Sequence, residues 1–272
     1  MIIVAGLAFI GLCAGSFVNA LVYRLRWQET HRKKNARYSI LRGRSICPKC
    51  KHTLSYMDMI PVLSWISLRG KCRYCNKPIS PQYPLVEAAT AILFVLSYVF
   101  WPYGLTGASI IEFILWLAIL TGLVALVVYD MKWMILPNKI IFPLYALALS
   151  SVLIRYISSA DYNFLVAAAA GTVVGGGIFY VLFQVSGGKW IGGGDVKLGF
   201  LLGALAGGPL AAFLMIFIAS LLGSVFSIPM IIKNQLGGKA KIAFGPFLIF
   251  AALITVLTGE RIIDIYSNML ML

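Results

Sequence analysis

Acidic residues are scarce in this chain. It carries 9 Asp and Glu against 23 Lys and Arg in 272 residues, and charged residues of both signs make up only 12%. A soluble domain of this length needs a more polar surface, so the shortage argues against that class. No glycine-rich nucleotide-binding loop is visible, and no internal repeat or low-complexity tract stands out. The net charge of +14 would suit nucleic acid in a soluble protein, but no nucleic-acid module is recognisable, so nucleic acid is not expected as a partner. There are only two histidines, His31 and His52, and both read as surface residues. The first apolar stretch lacks the basic n-region of a signal peptide. Its basic residues follow it, which reads as an anchor with the N-terminus outside.

What the chain has in abundance is hydrocarbon: 60% hydrophobic residues and a mean hydropathy of +0.90. Repeated apolar runs near the ~20 residues a span needs predict an all-α polytopic membrane protein. About eight transmembrane helices are expected, over 2–23, 84–101, 109–129, 134–156, 162–184, 196–207, 210–232 and 242–258, the sixth being short. In the first, Gly11, Ala14, Gly15, Ser16 and Ala20 would let helices pack closely, and Asn19 is expected to hydrogen-bond between helices. Fourteen of the 23 basic residues fall between Arg24 and Lys77, opposed only by Glu29 and Asp58. Basic loops stay in the cytoplasm, so this segment is expected inside, where anionic lipid headgroups would attract it. Eight spans then leave both termini extracytoplasmic. Lys132, Lys189, Lys233, Lys239 and Lys241 fall inside, and Arg155 and Arg261 are the exceptions. The chain divides into a first span (1–23), a cytoplasmic cysteine-bearing domain (24–82) and a membrane domain (83–272). Nothing in the sequence speaks to oligomeric state.

Four of the five cysteines form two pairs, Cys47-Pro-Lys-Cys50 and Cys72-Arg-Tyr-Cys75. This spacing fits one tetrahedral Zn²⁺, as in a zinc ribbon. Four sulfurs leave no open coordination position, so the metal would be structural, one per chain, and would stabilise a segment with little core of its own. Disulfides are disfavoured in the reducing cytoplasm. A redox role lacks a thioredoxin-like context. Cys13 reads as a small apolar helix residue.

Two aspartates stand at the ends of apolar runs. Asp130 closes GLVALVVYD (122–130), and Asp195 lies in KWIGGGDVKLG (189–199). A carboxylate at the edge of hydrocarbon is costly to keep, and two on the same face suggest a shared task. With eight spans both fall on the cytoplasmic side. Gly192, Gly193 and Gly194 would permit an irregular backbone and the close approach of another chain, giving a cavity for an extended peptide. Two facing carboxylates can share a proton, one activating a water while the other polarises a scissile carbonyl. The plain alternative is that each is a helix cap or pairs with Lys132 or Lys197. A proton-coupled transporter with a structural zinc loop also uses paired acids, although neither carboxylate is mid-span. A membrane scaffold that binds partners through the zinc domain is a third reading.

Several stretches resemble one family. GSFVNALVYRL (15–25), the two cysteine pairs, IPVLSWISLRGKC (60–72), ISPQYPLVE (79–87), YDMKWMILPN (129–138), GGGDVKLG (192–199) and FGPFLIFAAL (244–253) look like the bacterial type IV prepilin peptidases, the leader peptidase/N-methyltransferase enzymes. These are aspartic proteases of the GxGD type. Presenilin-like enzymes share that motif but lack the cysteine segment. The resemblance implies removal of a short basic leader from prepilins or pseudopilins, after a glycine at the cytoplasmic edge of the substrate's apolar helix. It places catalysis on Asp130 and Asp195. It also implies methylation of the new N-terminal amine with S-adenosylmethionine, for which Glu87, Arg69 and Lys71 are candidate contributors. The family pattern often has a basic residue where Gln82 stands and an aspartate where Asn138 stands, which argues against a catalytic role at 138.

Overall fold

The computed structural model describes residues 1–31, 38–40, 43–232 and 242–270, so the expected basic loop at 233–241 lies outside the described residues. Among the described residues the regular structure is helical. It comprises α1 (Ile2–Thr30), a 3-10 turn (Met57–Met59), α2 (Leu63–Ser67), α3 (Gln82–Val99), α4 (Ala108–Trp133), α5 (Asn138–Ser159), α6 (Asn163–Ser186), α7 (Gly193–Leu205), α8 (Pro209–Ile232) and α9 (Gly245–Leu270). Seven of these (α1, α3, α4, α5, α6, α8 and α9) are long and apolar enough to cross a membrane. The expected sixth span, 196–207, falls in α7, whose 13 residues keep it out of those seven, so the described helices give seven candidate spans where about eight were expected. The all-α membrane architecture is therefore as expected. Two helices outrun their apolar patterns. α1 continues past Tyr23 through Arg24 and Arg26, because a change of polarity ends a span without breaking a helix. Its 29 residues reach roughly 43 Å, more than the ~30 Å of hydrocarbon in a bilayer. α9 likewise runs on to Leu270, beyond the expected end at 258.

The chain forms two compact units, Met1–Val99 and Phe100–Leu272. Polarity alone suggests a break at 82/83, but α3 packs against α1, so the first unit keeps both helices and the cysteine segment between them. The reason is close approach. A Cβ on Gly11 would lie 2.6 Å from Ala91 Cα, and one on Gly15 would lie 2.6 Å from Glu87 Cα. The Asn19 side chain donates to the Tyr83 carbonyl (3.1 Å), the expected interhelical bond. Beyond the bilayer-length part of α1, Arg24 donates to the carbonyls of Ser39, Ile40 and Gly43 (3.3, 3.0 and 2.7 Å), which ties the start of the cysteine segment to the helix.

The second unit holds α4 to α9. α7 is its inner helix: Leu198, Leu201 and Leu202 are fully buried. A glycine seam joins it to α6. A Cβ on Gly171 would come within 2.6 Å of the Gly203 carbonyl oxygen, one on Gly175 within 2.7 Å of the Gly199 oxygen, and one on Gly199 within 2.6 Å of the Gly175 oxygen. All of these contacts are with backbone, which cannot swing aside. We therefore expect Gly203→Ala to destabilise the second unit by about 2 kcal/mol, the size of an overpacked core, and Gly203→Leu to abolish its folding. Thermal unfolding in detergent checks both. Far along α5, Arg155 stacks on Tyr103 (3.6 Å) and Phe164 (4.9 Å) within the field of buried Glu112. This local neutralisation accommodates a cation that breaks the expected charge pattern.

Candidate active site

Asp130 sits in the last turn of α4, where Met134 turns left-handed and its N–H closes on the Asp130 carbonyl (2.8 Å). That end of a helix repels anions. The side chain is nevertheless buried, with the residue only 5% exposed. The compensation comes from another helix. Gly245, the first residue of α9, gives its backbone N–H to the Asp130 carboxylate. The two are so close that a Cβ on Gly245 would lie 2.6 Å from Asp130 Oδ2 and 3.7 Å from Leu198 Cδ2 of α7. The C-terminal turn of α4, the start of α9 and the Leu198 side chain of α7 thus come together near this carboxylate.

Asp195 lies in the first turn of α7, the end that favours an anion. Its carboxylate accepts from the backbone N–H of Gly192, the residue that caps the helix, and it feels the charge of Asp130. The arrangement is symmetric in kind: each aspartate takes one N–H from a glycine at a helix start. Gly192 has φ −75° and Gly193 already begins the helix, so 192–194 is a helix start with no irregular backbone beyond its cap. The left-handed glycines are Gly187 and Gly188, just upstream. Small size matters at Gly194, where a Cβ would sit 3.2 Å from Leu136 Cδ1 in the loop after α4. Gly192 and Gly193 are exposed, which leaves the approach to Asp195 open.

The lysine alternatives do not hold. Lys197 donates to Asn138 Oδ1 (3.0 Å), and its backbone carbonyl accepts from Tyr145 (2.6 Å), pinning α5 to α7. Lys132 lies over the Trp133 ring (5.5 Å). The capping alternative is met in part at Asp195, whose bond to Gly192 is local.

In the first unit the four cysteines come together. One sulfur from each of Cys47, Cys50, Cys72 and Cys75 lies within 4.8 Å of all the others, a set that can bind a metal ion. The two loops match residue for residue. Cys47 N–H bonds the His52 carbonyl as Cys72 N–H bonds that of Lys77, and Lys51 and Asn76 occupy the same left-handed position (φ 61° and 55°). Without a cation the cluster is a poor place for thiolates. The Lys77 N–H favours the Cys75 thiolate, but burial and the sulfurs of Cys72, Cys50 and Cys47 prevail and push its pKa up to about 11. Asp58 braces the cluster from outside. It accepts from Arg73 Nε (2.8 Å), Tyr74 (2.9 Å) and Ser55 (2.9 and 3.2 Å). Burial works against its charge, but these donors outweigh it and hold its carboxyl below the usual range.

Comparison with known proteins decides the family. Residues 9–101 match the bacterial peptidase A24 N-terminal domain, and residues 117–228 match the type IV leader peptidase family. A prepilin leader peptidase/N-methyltransferase of Aeromonas salmonicida is 32% identical over 276 residues, covering 94% of this chain and 91% of the relative. The chain belongs to the type IV leader peptidase family. The Pseudomonas aeruginosa protein of the same name is 32% identical over 272 residues (94% and 91% covered), and that of Legionella pneumophila is 30% identical over 284 residues (98% and 94% covered). No solved structure matches. The family membership and the seven apolar helices make this a multi-pass inner-membrane peptidase. The leader peptidase match contains Asp130 and Asp195, and the N-terminal match contains the four cysteines and ends within two residues of the break between the compact units.

The cofactor candidates are not gathered in the same way. The Glu87 carboxylate is buried and takes the Val62 N–H (2.7 Å), whereas Arg69 and Lys71 are exposed. Among the described residues no hydrogen bond or ion pair joins the three, so they do not form a fitted cofactor site. Sequence reasoning missed Gly245. Its signal was present in FGPF: a glycine before a proline at the head of an apolar run marks a helix start.

Proposed function

We propose that this chain removes the short basic leader of type IV prepilins or pseudopilins, cutting after a glycine at the cytoplasmic face, and then methylates the new N-terminal amine with S-adenosylmethionine. The observation that carries the peptidase reading is that Asp195 lies within the electrostatic reach of Asp130, with both inside the region matched by the leader peptidase family. The two carboxylates hold one proton between them. The ionised one removes a proton from water, which attacks the scissile carbonyl, and the protonated one polarises that carbonyl. The proton then passes to the leaving amine as the tetrahedral intermediate collapses. The Gly192 and Gly245 N–H groups each hold one carboxylate in place. Exposed Gly192 and Gly193 leave room for the extended cleavage segment, while Gly194 is filled by Leu136.

The methyl donor supplies an electrophilic methyl group to the amine. No residue of this chain is assigned to hold it. The donor set of Cys47, Cys50, Cys72 and Cys75, four sulfurs within 4.8 Å of one another, fits Zn²⁺. Held by these four sulfurs, such an ion would stabilise them as thiolates and cross-link the two loops. The cysteine domain, both aspartates and the basic segment face the cytoplasm, with both termini outside.

The test is purified protein in lipid with a prepilin-like substrate and labelled S-adenosylmethionine. Leader loss followed by methyl label on the new N-terminus supports both activities, and an uncut substrate removes the peptidase reading. Zinc should measure one per chain. In Cys72→Ser, which removes one of the four ligands, we expect zinc affinity to fall by more than the roughly 10-fold that loss of an outer-shell partner costs, and residues 43–80 to become sensitive to protease. Wild-type stoichiometry and resistance in that variant would remove the structural zinc.

A further inference from the structure

The stretch between the two cysteine loops turns its apolar side chains outward. Tyr56 is 81% exposed, Met57 72%, Ile60 45%, Leu63 64% and Ile66 59%. Met57, Ile60, Leu63 and Ile66 recur every third residue through the 3-10 turn and α2, making one stripe. The stripe is held in place. Val62, at its centre, has φ 60°, an outlier for a β-branched residue, and its N–H is clamped by Glu87 of α3 (2.7 Å). Asp58, within the stripe, is fixed by Arg73 and Tyr74. Strained backbone that displays hydrocarbon to solvent calls for an occupant.

Charge selects that occupant. Arg44, Lys49, Lys51, Arg69, Lys71, Arg73 and Lys77, in the same segment as the stripe, are all exposed. The one acid among residues 43–80 is Asp58, whose side chain is 3% exposed and already paired. An apolar stripe in a cationic segment fits the boundary between anionic headgroups and acyl chains. The segment is also tethered there, since it leaves one membrane helix, α1, and enters another, α3. A basic peptide would be repelled by the same charges.

We propose that Met57, Ile60, Leu63 and Ile66 lie in the headgroup layer of the bilayer and bind anionic phospholipid, with the lysines and arginines of the segment on the phosphates. The proposal stands apart from the aspartate pair. The test places a benzophenone amino acid at Leu63 of the full chain, reconstituted in vesicles of mixed phosphatidylglycerol and phosphatidylcholine. Illumination should yield adducts with the mass of a phospholipid, favouring phosphatidylglycerol at least about threefold. High salt should erase that preference, as should Arg44→Gln/Lys49→Gln/Lys77→Gln. The lipid and salt comparisons use the same labelled chain, so they do not depend on folding of the charge variant. Adducts with peptides of this chain or with an added prepilin-like substrate would overturn the proposal, as would equal yields from the two lipids or no adduct at all.

Discussion

Asp130→Asn and Asp195→Asn each lower leader removal by about 10³-fold or more, and the double variant is no worse than either single one. Asparagine keeps the size of the side chain and its bond to Gly245 or Gly192 but can neither take nor give the shared proton. General acid–base groups contribute roughly 10²–10⁴-fold, and residues that act as one unit lose their joint effect when either is removed. Zinc content should stay at the wild-type level in all three variants, because the cysteine cluster belongs to the other compact unit. Leader removal read by mass shift of the substrate, with metal analysis of the same preparations, checks both statements.

Gly245→Ala lowers kcat for leader removal by about 10²-fold, the size expected when a catalytic group is displaced by about an ångström. The added methyl would sit 2.6 Å from Asp130 Oδ2, well inside contact distance. Either the carboxylate turns off the Gly245 N–H or the head of α9 backs away from α4 and α7. Alanine suits a helix better than glycine, so α9 itself should form. KM should change little, since substrate contacts are untouched. Gly6→Ala is the control: nothing lies within 4 Å of its Cβ position, and its activity should match wild type. Equal activity in Gly245→Ala would show that Asp130 needs no anchor from α9.

The membrane architecture was legible in the sequence because long apolar runs and basic loops are one-dimensional signals. The cysteine cluster was legible for the same reason: C-x2-C spacing is local and its geometry follows from one metal. Helix ends were less so. α1 runs seven residues past its apolar stretch because arginine continues a helix as well as leucine does. Partner choice was not legible at all. Nothing in the order of residues says that α3 packs on α1, so that the compact unit ends at Val99, or that Gly245 is placed against Asp130 across more than a hundred residues. Only the structure pairs Gly171 and Gly175 with Gly199 and Gly203. At Gly192–Gly194 the run begins a helix, and the smallness of Gly194 makes room for Leu136.

The central claim is that two carboxylates stabilise a tetrahedral intermediate at the leader junction. The most direct measurement is the affinity of a peptide that carries a tetrahedral hydroxyl isostere in place of the scissile bond. The account predicts that it binds wild-type protein at least about 10²-fold more tightly than the uncut peptide, and that the advantage disappears in Asp130→Asn and Asp195→Asn. Equal affinity for isostere and peptide in the wild type, together with leader removal that survives in either variant, would contradict it.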